Sequence, residues 1–267
     1  MIYLDKDIEK YWAGKDPFRE IGLIEGEVFR SVKNRRTLRF NMAGKSYFAK
    51  IHHGVGWKEI FKNIFMFKKP VISVQNEYMA IKKIERLNIA TMKIAAYGKR
   101  GNNPAEIRSF IITRELKNTV SLEDFCKDWK KHPPAFSLKK DLIEYLAKVS
   151  RTLHLNGINH RDYYICHFLL DVSRGIENIT ADQISIFLID LHRAQIRRKT
   201  PFRWIVKDIG SLWFSAMDIG LTKLDRFRFI KIYSGKTLPE LTKNDLKFWH
   251  RVQKRAEKLY AKELRLM

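Results

Sequence analysis

A short loop held between a long helical run and an apolar strand constrains this chain more than any other feature. The loop reads His160-Arg161-Asp162-Tyr163-Tyr164-Ile165-Cys166-His167-Phe168-Leu169-Leu170-Asp171. Residues of about 138–156 carry a helical pattern into it, and the strand Ile184-Ser185-Ile186-Phe187-Leu188-Ile189 leaves a second aspartate, Asp190, at its end. Two further ionisable residues sit on regular elements upstream. Lys50 closes the strand pattern Tyr47-Phe48-Ala49-Lys50-Ile51. Glu77 lies early in a helical pattern in which Val74, Tyr78, Ile81, Ile84 and Leu87 share a face, with Glu85 on the same helix as its competitor. Strand ends and helix turns hold charged groups rigidly, so a fold that uses all four must place strands before helices.

Phosphoryl transfer asks for such a set. One carboxylate accepts the proton of the attacking hydroxyl, while another holds Mg²⁺ against the β- and γ-phosphates. Lys, Glu, His-Arg-Asp and Asp in this order resemble the protein-kinase-like phosphotransferases. On that resemblance Asp162 is the base, His160 and Arg161 shape its loop, and Asp190 binds Mg²⁺. Lys50 then reaches the α- and β-phosphates of ATP and is held by Glu77. Thr113 lies beside the adenine pocket, and backbone groups of Glu115 and Leu116 bond the base. Asp208 is expected to brace the catalytic loop from a later helix. The competing readings are a solvated strand-end lysine, a helix-surface glutamate and turn-capping aspartates.

The remaining pattern agrees with two lobes of different composition. Residues of about 22–51 read as a β-meander turning at Ala43-Gly44-Lys45, and 94–98 and 109–113 read as strands around a polar loop at Gly101–Pro104. Helices are expected over about 57–69, 73–87 and 121–130, the last capped by Ser121, and from about 203 to the end, finishing in a basic amphipathic helix at 242–264. The expected fold is α+β and bilobal, protein-kinase-like: residues 1–116 a β-rich, ATP-covering lobe and residues 117–267 a helical catalytic lobe.

Charge narrows the partners. Lys and Arg total 52 against 29 Asp and Glu, a formal +23, which favours anionic partners. The acidic cleft that a cationic aminoglycoside acceptor would need is not expected from such a chain. A nucleic-acid binder would not need Lys50, Glu77, Asp162 and Asp190 in this order, so no nucleic acid is expected. Cys126 and Cys166 suggest neither a disulfide framework nor a zinc site. The N-terminus meets charge at once, and no apolar run reaches the ~18 residues that span a bilayer, so no signal peptide or membrane span is expected.

Several strings are more specific. Arg35-Arg36-Thr37-Leu38-Arg39, Lys45-Ser46-Tyr47-Phe48-Ala49-Lys50, Ser109-Phe110-Ile111-Ile112-Thr113, Tyr164-Ile165-Cys166-His167-Phe168-Leu169-Leu170, Ile189-Asp190-Leu191-His192-Arg193-Ala194-Gln195 and Asp218-Ile219-Gly220-Leu221-Thr222 resemble the lipopolysaccharide core heptose(I) kinase family. That resemblance implies an ATP- and Mg²⁺-dependent enzyme that phosphorylates the first heptose of the inner core. It implies work at the cytoplasmic face of the inner membrane of Gram-negative bacteria, peripheral to the bilayer, with the core glycolipid as acceptor and acyl carrier protein as a further partner. Kdo kinase, protein-tyrosine kinase and pseudokinase scaffold are the alternatives.

The chain departs from the protein-kinase pattern in three places. His167 stands where asparagine would offer Mg²⁺ an oxygen, so it binds metal weakly, contacts phosphate or orients Asp162. No Gly-x-Gly-x-x-Gly precedes Lys50, which leaves Arg35 or Arg36 to help cover the phosphates, and Asp190-Leu191-His192 replaces Asp-Phe-Gly. On the acceptor side Arg193, Arg197 and Arg198, with Lys199 and Arg203, are candidates for holding an anionic glycolipid. Trp57, Ile60, Phe61, Ile64, Phe65 and Phe67, flanked by Lys58, Lys62, Lys68 and Lys69, form an aromatic-rich helical stretch. Core packing on the small lobe is the expected use, with an interfacial membrane helix as the alternative.

Overall fold

The computed structural model describes residues 1–32, 34–66, 71–175, 179 and 184–266. Its first elements are β1 (Ile2–Leu4), α1 (Lys6–Tyr11), α2 (Pro17–Leu23), β2 (Glu27–Val32), β3 (Arg35–Met42), β4 (Lys45–His53), α3 (Gly56–Phe65), α4 (Gln75–Arg86), β5 (Ile94–Arg100) and β6 (Arg108–Arg114). Then come β7 (Thr119–Ser121), α5 (Leu122–Cys126), α6 (Phe136–Leu155), β8 (Ile158–Asn159), β9 (Phe168–Asp171), β10 (Ile186–Leu188), β11 (Gln195–Ile196), α7 (Phe202–Ser215), α8 (Lys223–Ser234) and α9 (Lys243–Leu264). The expected helix end at Phe67, Lys68 and Lys69 lies outside the described residues.

The chain forms two compact units, one of residues 1–83 and 92–116 and one of 84–91 and 117–267. The first is built on a six-stranded antiparallel sheet in the order β1-β5-β6-β4-β3-β2. The β3–β4 hairpin turns through Ala43 and Gly44, both at positive φ, which is the backbone that a two-residue hairpin turn demands. In β4 the alternation sends Tyr47, Ala49 and Ile51 inward and leaves Lys50 on the other face. Those inward residues join Phe40, Phe110 and Ile112, over which α1 and α2 lay Ile8, Trp12 and Phe18. Asp5 and Asp16 cap the two short helices by accepting the N–H groups of Ile8 and Phe18. These helices were not foreseen in the sequence.

The second unit is mainly helical. α7 packs against α9, and α6 packs against α8. Ile209, Trp249 and Val252 form one core there, with Trp213, Phe229, Tyr233 and Phe248 against it. Thr222 with Asp225, and Thr242 with Asp245, form capping boxes that fix the starts of α8 and α9. Two small antiparallel sheets set the loops between them. β8 pairs with β11, and β9 pairs with β10 and β7. The loops 160–167 and 189–194 therefore both run between the same small strand pairs. Gly157 is required where β8 begins: its φ is +76°, and a Cβ would lie 1.9 Å from the Arg197 carbonyl oxygen. Among the described residues no helix is long and apolar enough to cross a membrane.

Candidate active site

In the first unit the Lys50 ammonium donates to Glu77 Oε1 at 2.8 Å. Lys50 sits on a central strand between β3 and β6, and Glu77 in the first turn of α4 is only 2% exposed. The sequence named Glu77 over Glu85, and the ion pair falls on Glu77. Thr113 is buried on β6 opposite Phe48. Glu115 donates its N–H to the Ser46 carbonyl at 3.1 Å, and its carboxylate accepts from Arg39 at 3.3 Å. Arg35 does not point freely from the β2–β3 hairpin. Its guanidinium donates to the Val71 carbonyl, and burial lowers its pKa. Gly26 lets β2 approach β3 closely, since a Cβ there would meet the Arg39 carbonyl oxygen at 2.1 Å.

The second unit assembles the other residues around Asp208. This carboxylate is 1% exposed on α7 and accepts the His160 N–H at 2.6 Å and the Arg161 N–H at 2.9 Å. His154 Nε2 stands 3.5 Å from the same oxygen as His160 N–H. Arg161 adopts φ +79°, a left-handed backbone that is uncommon outside glycine, and the two bonds to Asp208 hold it there. His160 is fully buried, with Nε2 2.9 Å from the Ile189 carbonyl and its ring stacked on His167. Burial pushes the His160 imidazole below its ordinary pKa, opposed by the Asp208 charge, so the ring is neutral near pH 7 and Nε2–H donates to Ile189. That bond ties the Asp162 loop to the strand that delivers Asp190.

Asp162 accepts from Arg193 Nη1 at 2.8 Å and 3.0 Å through its two oxygens. Its own carbonyl lies 2.6 Å from His167 Nδ1. A carbonyl can only accept, so Nδ1 of His167 carries the proton and Nε2 is turned toward Asp190 Oδ2, 3.6 Å away. Asp190 is left-handed, at φ 59° and ψ 51°, and His192 Nδ1 bonds its other oxygen at 2.5 Å. Among the described residues no cluster of three or more His, Cys, Asp or Glu could hold a metal ion by itself. Mg²⁺ usually takes one or two carboxylates and completes its shell with phosphates and water, and the partly exposed Asp190 suits that mode. The His167 nitrogen does not.

The basic candidates divide. Arg193 reaches Asp162, whereas Arg197 is spent on Asn159 Oδ1 and Gln195 Oε1, bridging the β8–β11 pair, and Arg198 is exposed. Lys207 and Trp204 escaped the sequence reading. Arg161, Arg203 and Lys207 all lie over the Trp204 ring at 5.0–5.3 Å, and burial followed by the charge of Arg161 lowers the Lys207 pKa. The adjacency of Lys207 to Asp208 was the signal that could have found it. Elsewhere in this unit an apolar cavity of about 260 Å³ is walled by residues such as Trp129, Leu142, Ile143, Leu146, Trp213 and Trp249.

Comparison with known proteins decides the family. Residues 21–233 match the lipopolysaccharide kinase (Kdo/WaaP) family. This chain belongs to that family. It is 43% identical over 264 residues, 99% of its length and 97% of the relative's, to the lipopolysaccharide core heptose(I) kinase WaaP of Pseudomonas aeruginosa. It is 44% identical to the protein of that name from Escherichia coli K12, with 97% of each chain covered. The solved structure of WaaP in complex with acyl carrier protein superposes with a TM-score of 0.84 at 40% identity, over 97% of this chain and 99% of that one. The α+β arrangement of an N-terminal antiparallel sheet and C-terminal helices thus matches a WaaP kinase structure. A kinase of this family uses ATP.

Proposed function

We infer that this chain is a lipopolysaccharide core heptose(I) kinase that transfers the γ-phosphoryl group of ATP to a heptose hydroxyl of the inner core. The observation that carries the reading is identity above 40% along essentially the whole length with kinases of that name. The residues fit the chemistry. Asp162 accepts the proton of the heptose hydroxyl as its oxygen attacks, and Asp208 fixes its loop through two backbone N–H groups. Asp190 would hold Mg²⁺, which when bound neutralises charge on the phosphates. Lys50, positioned by Glu77, contacts the nucleotide phosphates. Thr113 with the carbonyl of Glu115 and the backbone of Leu116 borders the adenine; the Glu115 N–H is already bonded to Ser46. His167 positions Asp162 through its carbonyl. On this reading residues 1–116 are the nucleotide-covering lobe and 117–267 the catalytic lobe.

Arg193 links acceptor binding to catalysis. While it donates to both oxygens of Asp162, it stands where the acceptor hydroxyl would have to approach. An acceptor carboxylate or phosphate competes for the guanidinium and frees an oxygen of Asp162 as the hydroxyl arrives. Arg198 and Arg197 are more distant contributors to the same anionic surface. Acyl carrier protein is the protein partner we propose. The relative's complex, the +23 charge against an acidic carrier and a cavity apolar enough for an alkyl chain support it. The site of action is the cytoplasmic face of the inner membrane, where the acceptor is lipid-linked.

The test is ATP-dependent phosphate transfer to heptose-containing core lipopolysaccharide lacking core phosphate, by wild type and by Asp162→Asn. Wild type should transfer, and the variant should lose ~10²–10⁴-fold in kcat, the usual worth of a general base. Transfer unaffected by the substitution would overturn the role of Asp162, and no transfer with ATP bound would overturn the acceptor.

A further inference from the structure

α3 carries an apolar face that its own unit leaves in solvent. Ile60 roots the helix and is 6% exposed. Trp57, Phe61, Ile64 and Phe65, spaced i, i+4, i+7 and i+8, are 49%, 51%, 53% and 82% exposed, so they form one stripe. The Trp57 and Phe61 rings stack with centroids 5.7 Å apart, which makes that end of the stripe continuous. Core packing, the expected use of this stretch, is realised by Ile60 and not by Trp57, Phe61 or Phe65. Lys58 and Lys62, both exposed, border the stripe. The helix has one acid, Glu59, and it interacts with Arg35.

A contiguous apolar stripe of this kind marks a surface with a partner. A second copy of this chain is a poor occupant, because it would set Lys58, Lys62 and a formal +23 charge against themselves. A bilayer with anionic headgroups suits each part. Acyl chains take the Trp and Phe rings, headgroup phosphates take the lysines, and the single acid is turned to an arginine of the protein. We propose that α3 is a membrane-docking helix that lies in the interface of an anionic phospholipid bilayer, with Trp57, Phe61, Ile64 and Phe65 inserted and Lys58 and Lys62 at headgroup level. The inference does not depend on which sugar is phosphorylated.

The test is co-sedimentation of the full chain with acceptor-free vesicles of phosphatidylethanolamine and phosphatidylglycerol, beside phosphatidylcholine vesicles. Wild type should prefer the anionic vesicles and be released by salt. Phe61→Ser with Phe65→Ser should bind at least ~100-fold more weakly, from two large rings left in water. Lys58→Glu with Lys62→Glu should bind ~30-fold more weakly, near the usual worth of two interfacial lysines. Phe65→Ser alone keeps the test independent of folding, since that ring has little protein contact; it should melt as wild type and still bind ~10-fold more weakly. Phosphate transfer to a water-soluble deacylated acceptor should be unchanged in Phe65→Ser and reduced only on vesicles. Equal vesicle binding by wild type and Phe65→Ser, or none by wild type, would overturn the proposal. So would a wild-type dimer in light scattering that the double serine variant dissolves, or an acidic protein that competes for the stripe while vesicles do not. Vesicle binding with no transfer to any acceptor would overturn the kinase reading and leave this one standing.

Discussion

Asp208→Asn separates the geometry of the 160–167 loop from the chemistry proposed for Asp162. The carboxylate is 1% exposed and accepts two backbone N–H groups, from His160 at 2.6 Å and Arg161 at 2.9 Å. Hydrogen bonds to a charged group contribute about 1.5–3 kcal/mol each. An asparagine keeps one acceptor oxygen and turns an NH₂ group toward the other N–H, so one bond is lost and two donors face each other. The expected loss in unfolding free energy is about 2–4 kcal/mol, one such bond plus part of the cost of an unsatisfied buried donor. The consequence for catalysis follows from backbone strain. Arg161 is held at φ +79°, a state that costs of order 1–3 kcal/mol and persists only while its surroundings enforce it. Released, the peptide relaxes and carries Asp162 away from its place. A displacement near 1 Å costs roughly 100-fold in rate.

Urea unfolding and steady-state kinetics on the same preparations read both effects. Asp208→Asn should lose ~100-fold in kcat while KM for ATP changes by less than ~3-fold, because Lys50 and Glu77, the pair proposed to hold the nucleotide phosphates, belong to the first unit. A general loss of folded enzyme would lower the active fraction without this split, and active-site titration corrects for it. Retention of wild-type kcat by a variant that has lost the stability would refute the argument that Asp208 acts through the loop.

Two further substitutions probe ion pairs, one in each unit. Lys50→Met leaves Glu77 buried without that ammonium, so KM for ATP should rise and stability fall by about 3 kcal/mol; adding Glu77→Gln should recover stability and no activity, and recovered turnover would sink the phosphate-contact role of Lys50. Asp225 is buried, which raises its pKa, but Lys139 and Thr222 outweigh that and hold it below its ordinary value of 3.8. A carboxyl depressed in the folded state contributes stability above its unfolded pKa, and that stability is lost as pH falls below 3.8. Asp225→Asn should therefore lose about 3 kcal/mol at pH 7 and unfold less steeply with acid; an acid limb identical to wild type would contradict the assignment.

The elements that carry chemistry were legible because their signals are local. A strand with Asp190 just past its end, a helix with Glu77 in its first turn and Ser121 at a helix N-cap each state their conformation within a few residues. What could not be read depends on partners far along the chain. Asp208 is 48 residues from His160, and Arg193 is 31 from Asp162, so sequence suggested a brace and a cleft arginine without fixing which atoms meet. α1 and α2 were missed because each is only 6–7 residues long, and their stability comes from caps and from burial on the sheet. The exposed stripe of α3 was misjudged for a different reason. Periodicity identifies an apolar face but does not reveal whether protein covers it.

The departures from the protein-kinase pattern are compensated at the level of backbone. Four non-glycine residues of the second unit, Asn88, Asn118, Arg161 and Asp190, are at positive φ, and of these Arg161 immediately precedes, and Asp190 is, a carboxylate proposed for catalysis. Side chains at such positions project where a right-handed or extended backbone could not send them. Arg161 is held there by Asp208. Asp190 is held by His192 at one oxygen and stands 3.6 Å from His167 at the other. His192, which stands where Asp-Phe-Gly has its glycine, thus supplies a hydrogen bond to the Asp190 carboxylate that a glycine has no side chain to make. His167, which lacks a hard oxygen for Mg²⁺, is fixed by the Asp162 carbonyl in the tautomer that turns Nε2 to Asp190. One imidazole therefore lies between the two aspartates, bonded to the Asp162 carbonyl with its other nitrogen 3.6 Å from Asp190 Oδ2. On the proposed mechanism, histidine at position 167 in place of asparagine would exchange metal coordination for positioning and would leave Asp190 as the hard ligand the protein offers Mg²⁺.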